Sequence, residues 1–219
     1  MHTTILAFLL EVSRTANSMS AALAALFLIG IFAMKKDLAQ ARGLDKIIGL
    51  SSLCFAMPLA AFGAEHLSAA RGIMQAVPAY MPWRLFWAYF VGSALLAASL
   101  SIATKIGVRW SGLLFGIMMF LFVAMIHLPA ALAGHQRTSW VVVFREPSFA
   151  AGAWILSASA LNGWQARGKT LLTTIGRVVI GITAIFFSVQ QFLLPRWPTV
   201  FPWTNPCPAG FQGARSSAL

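Results

Sequence analysis

Three residues of this chain pair acid–base chemistry with a place at the edge of a long apolar run: Glu65, His66 and His127. Glu65 and His66 follow the run Ile47–Ala64, and His127 lies near the end of the run Trp110–Ala133. A carboxylate accepts a proton, and a neutral imidazole carries one nitrogen that donates and one that accepts. Such groups are costly at the rim of a hydrocarbon layer, which invites a functional reading. In that reading Glu65 relays a proton or holds a quinone hydroxyl. His66 and His127 would bind a quinone carbonyl, or ligate haem or a metal ion. The plainer reading has both histidines hydrogen-bonded to backbone or head groups, with Glu65 ion-paired to Arg71 or Arg84. No HxxxH, CxxC or CxxCH spacing supports a metal centre, and no phosphate loop or nucleophile elbow occurs. The residues assign no reaction.

Helix rise places the three groups at one depth. Lys46 to Glu65 is nineteen residues, about 28 Å of helix, and Trp110 to His127 is seventeen, about 25 Å. Both stretches start from one interface, so both end near the opposite boundary. Pro129 follows His127 closely and removes the backbone donor to the Met125 carbonyl, which loosens the helix there.

The elements that must position these groups are membrane helices. Of 219 residues, 59% are hydrophobic and 10% charged, with a mean hydropathy of +0.78. Water-facing domains carry about a quarter charged residues, so most of this surface meets lipid. The formal charge of +11 would suggest nucleic acid in a soluble chain. Here the basic residues sit between apolar runs and no nucleic-acid motif occurs, so anionic head groups or a charged partner subunit are the expected counter-ions. Cys54 lies in an apolar run and Cys207 in the final segment, which makes no disulfide framework.

The expected fold is all-α: a polytopic membrane bundle of about six helices, one domain over residues 1–194, with a proline-rich extended tail over 195–219. Residues 1–20 lack a basic leader and read as an interfacial or re-entrant turn. The expected spans are Ala21–Met34 (reaching back to Asn17), Ile47–Ala64 with a kink at Pro58, Arg84–Thr104, Trp110–Ala133, Ser148–Trp164 and Leu171–Leu194. The turns at 35–46, 105–109 and 165–170 then share one side and hold every lysine: Lys35, Lys36, Lys46, Lys105 and Lys169. The positive-inside rule makes that side cytoplasmic and both termini external. Seven tryptophans fall near the two interfaces, and Trp154 falls inside a span as a packing residue.

A faint internal repeat aligns residues 60–67 with residues 185–192, setting Glu65-His66 against Gln190-Gln191. If the two copies met about a pseudo-axis, the amides would hydrogen-bond the charged pair and complete a quinone or haem site.

The stretch Phe62-Gly63-Ala64-Glu65-His66-Leu67, the segment Val77-Pro78-Ala79-Tyr80-Met81-Pro82 and the run Phe86–Leu95 resemble the DoxX-like integral membrane proteins. His127-Leu128-Pro129 resembles a later His-Leu-Pro of that family. The resemblance covers about residues 47–133, with Ile180–Trp203 as a degraded second copy. It implies a helical bundle in a bacterial cytoplasmic membrane, with Glu65, His66 and His127 as the positions of interest and no settled reaction. A redox or quinone-linked role near the outer leaflet is one expectation. The other is a non-catalytic accessory subunit of a larger energy-transducing or photosynthetic membrane complex, with partner subunits covering the basic ends and the tail.

Overall fold

A computed structural model of the chain describes residues 2–134, 137–161 and 166–193, and the proline-rich tail lies outside them. Helices dominate the described residues because the chain is built from apolar runs that no proline or glycine cluster interrupts for long. Helix α1, His2–Gln40, is continuous. The first turn expected to be separate is part of it, since nothing between residues 2 and 40 breaks a helix and the first glycine with left-handed geometry is Gly43, φ 53°. Its apolar crossing stretch is correspondingly longer than expected, Ser13–Gln40.

Helices α2, Asp45–Gly49, and α3, Ser51–Ser68, form the second apolar segment, and Pro58 sits inside α3 without ending it. The expected turn-rich stretch after residue 64 is more ordered than its prolines suggest. Helix α4, Ala70–Ile73, a 3₁₀ turn, Met74–Ala76, and a left-handed Trp83 (φ 52°) lead into α5, Arg84–Thr104. Two side-chain bonds stitch this entry: Arg84 Nη2 donates to the Gln75 carbonyl at 2.9 Å, and Trp87 Nε1 donates to the Pro82 carbonyl at 3.0 Å.

A tight turn reverses the chain after α5, with Lys105 and Gly107 both left-handed (φ 60° and 70°). Helix α6, Val108–Phe122, passes through a π-helical turn, Val123–His127, into α7, Leu128–Gly134. The loosening expected at Pro129 therefore takes the form of one wide turn, and the helix resumes beyond it. Helix α8, Arg137–Ser159, and α9, Ala166–Leu193, complete the described chain.

Among the described residues, five apolar segments are long enough to cross a membrane: residues 13–40, 45–68, 84–104, 108–134 and 166–192. The described residues are thus those of an all-α, integral membrane protein, with no strand among them. Helix α8 departs from expectation. It begins at Arg137, well before Ser148, so residues assigned to an external loop are helical, and Arg145, Glu146 and Pro147 dilute it below the apolarity of the other five. Exposed side chains such as Phe32 (69%) and Phe192 (86%) are what a lipid-facing surface requires.

Packing divides the helices into two groups. Helix α3 lies between α1 and α5, and α8 lies between α6 and α9. Leu53, Ala56 and Leu59 of α3 meet Leu26 and Met34 of α1 and Leu95 and Ile102 of α5 in the core. Phe55 bridges the groups, meeting the Phe115 ring edge-on at 6.1 Å and lying against Gly152 of α8.

The basic turns gather at one end. Lys105 Nζ pairs with Asp37 Oδ2 at 2.7 Å, tying the end of α1 to the α5–α6 turn. Both partners are 43–61% exposed, so the pair contributes under about 1 kcal/mol. Asp37→Asn is expected to shift thermal unfolding in detergent by less than that, and less still at high salt.

Candidate functional site

Glu65 and His66 occupy the last turn of α3, at the end opposite the lysine-rich turns. His66 Nδ1–H donates to the Phe62 carbonyl at 2.7 Å. That bond fixes the neutral tautomer and leaves Nε2 as the accepting or ligating nitrogen. The base of the side chain packs on α5 where Gly92 leaves room: a side chain at Gly92 would meet His66 Cβ at 2.8 Å. Glu65 is half-buried, and among the described residues it has no ion pair. The alternative pairing to Arg71 or Arg84 is thus not formed, because Arg84 has turned to the Gln75 carbonyl instead.

His127 ends the π turn and is half-buried. The charges that reach it are those of Glu146 and Arg145 on α8, which packs against the π turn. Glu65 and His66 stand on a different helix group, so the structure does not gather the three expected residues into one cluster. Gln190 and Gln191 lie near the end of α9, whose packing partner is α8 rather than α3. The α3–α9 pseudo-axis expected from the repeat would pair a central helix with an edge helix, and these packings do not provide it.

The residue that sequence reasoning missed is Glu146. Arg145 Nη2 pairs with Glu146 Oε1 at 2.9 Å, and the Glu146 side chain is only 14% exposed while that of Arg145 is 44% exposed. Their neighbour Pro147 has no N–H, so the Val143 carbonyl loses its helical donor. Nearby hydroxyls serve the adjacent carbonyls: Thr183 Oγ1 of α9 donates to Phe144 O at 3.1 Å, and Ser148 Oγ donates to Arg145 O at 2.6 Å. Phe144 stacks on Phe186 at 4.0 Å, which holds α9 against this part of α8. The irregular backbone is thereby locked by neighbours, as polar groups away from water require.

Depth follows from rise per residue. Glu146 is nine residues into α8, about 14 Å from its start, and His127 is seven residues before the end of α7, about 10 Å. The Arg145–Glu146 ion pair of α8 and the His127 imidazole at the end of the π turn thus stand on two elements that pack against each other. Such groups can hold a proton and hydrogen-bond an oxygen-bearing ligand. Among the described residues no group of three His, Cys, Asp or Glu is placed to hold a metal ion. The clue to Glu146 in the sequence was an adjacent acid–base pair between the apolar segments Val141–Phe144 and Phe149–Leu156. The chain matches no family model, and neither a curated protein nor a solved structure shows significant similarity to it.

Proposed function

We propose that α8 crosses the membrane together with α6 and α9 as a sixth span, and that His127, Arg145 and Glu146 form a proton-exchanging site for a quinone-type head group. The observation that carries this reading is the Arg145–Glu146 ion pair on α8, which packs against the π turn that ends at His127. Ionisable residues at such depth are rare and mark proton relays or ligand sites. In this reading Arg145 holds Glu146 in place through their ion pair, Glu146 accepts a proton from the ligand, and His127 donates a hydrogen bond to a ligand oxygen. The electrons of any redox step belong to the ligand and its redox partner.

Glu65 and His66 form a second, separate polar pair at the same end of the bundle. Their resemblance to the acid–histidine pair of DoxX-like proteins supports a role for them, and supports a bacterial cytoplasmic membrane with the lysine-rich end inside. Binding of a ubiquinone analogue to the purified chain in lipid nanodiscs, followed by quenching of tryptophan fluorescence, tests the assignment. His127→Ala and Glu146→Gln are each expected to weaken binding by about tenfold or more, the equivalent of one charge-assisted hydrogen bond. Equal affinity in both variants would remove the site from α6–α8. Loss on Glu65→Gln or His66→Ala instead would move it to α3.

A further inference from the structure

A cleft of about 700 Å³ opens at the lysine-rich end between the starts of α6 and α9 and the end of α8. Arg109, Trp110, Leu113, Ser157, Leu161 and Arg167 are among its lining residues. Two features give it a chemical preference. Arg109 and Arg167 both border it, and among the described residues no carboxylate lines it and neither arginine has an acidic partner. Leu113 of α6 and Leu172 of α9 also line it, each inside a segment apolar enough to cross a membrane.

The walls are also built rather than incidental. Ser157 Oγ of α8 donates to the Arg109 carbonyl, which joins two lining residues and ties the first turn of α6 to α8. The Arg109 guanidinium lies over the Trp110 ring at 5.0 Å, which orients the charge while the indole sits at the level of the helix ends. Cations at the rim, an interfacial indole and apolar walls below are complementary to an anionic amphiphile: a phosphodiester at the rim with acyl chains running down beside Leu113. An inorganic anion would satisfy the arginines and leave the leucine walls unmatched.

We infer that this cleft is a binding site for an anionic phospholipid, held by Arg109 and Arg167 and independent of the His127–Glu146 site. The full-length chain in nanodiscs is exposed to light with a diazirine-bearing phosphatidylglycerol or the matching phosphatidylcholine, and the labelled peptides are mapped by mass spectrometry. Labelling is expected within residues 109–113 and 166–172, with phosphatidylglycerol favoured on the order of thirtyfold, as two near-surface cations would give. Arg109→Gln combined with Arg167→Gln is expected to abolish the preference, and Lys35→Gln with Lys36→Gln, which removes equal charge outside the cleft, is expected to leave it intact. If the double arginine variant fails to fold, the wild-type map decides. Equal labelling by both lipids, labelling spread over all basic turns, or displacement by millimolar inorganic phosphate would each overturn the assignment.

Discussion

Glu146→Ala is expected to destabilise the protein by about 3 kcal/mol, measured by reversible unfolding in lipid bicelles. The change leaves Arg145 without its partner on a helix flanked by apolar neighbours. Breaking one side of a buried ion pair costs roughly 3–5 kcal/mol, and a lone arginine in a membrane helix about 2.5–3.5 kcal/mol. The lower part of that range applies, since the partly exposed Arg145 can bend its stem toward the nearer interface. Removing both charges together should cost far less, because two apolar side chains of similar volume replace a pair that had to be desolvated. Arg145→Met with Glu146→Leu is therefore expected to recover most of the lost stability while abolishing quinone-analogue binding. A neutral Glu146→Ala would mean that this face of α8 meets water, and would sink the embedded site.

Gly112→Ala is expected to cost about 2–3 kcal/mol in the same measurement. A methyl group at Gly112 would lie 2.6 Å from the Ala153 carbonyl oxygen and 3.1 Å from Ser157 Cβ. The first neighbour is backbone and cannot rotate away, so α6 and α8 must separate. Separation also strains the Ser157–Arg109 bond and the bond from Trp154 Nε1 to the Leu113 carbonyl, 3.3 Å long. Overpacking of this kind typically costs 1–3 kcal/mol, and small residues at such crossings are what let membrane helices approach. Gly181→Ala provides the contrast, since nothing lies within 4 Å of that position. It should be neutral or stabilise by up to about 1 kcal/mol through helix propensity.

Local signals placed the elements wherever they were strong. The span Arg84–Thr104 has the bounds expected of it, because Pro82 and Trp83 precede it and a Lys-Ile-Gly turn ends it. The sharing of one end by the basic turns was also legible, since it follows from alternating crossings alone. Helix α8 was not legible at its start. Arg145-Glu146-Pro147 looks like a loop to any reading based on local apolarity, and what keeps it helical is the packing of α8 between α6 and α9 together with hydroxyls donated from Thr183 and Ser148. His127 stood out because a lone imidazole before a proline is conspicuous, but its neighbours could not be read from spacing. Depth along a helix is a sum of rises, whereas facing depends on rotation, and an unlocated π turn shifts the rotation of everything beyond it.

The dilution of α8 by its polar pair bears on how the chain is made. A helix carrying Arg145, Glu146 and Pro147 partitions poorly from the ribosome exit channel into lipid by itself, while α6 before it and α9 after it partition readily. In the six-span arrangement proposed above, the nascent α8 would wait at the insertion machinery until α9 had emerged, and the two helices would enter as a hairpin against α6. A chain whose synthesis stops before residue 166 would then lack the neighbour that makes α8 acceptable to the bilayer.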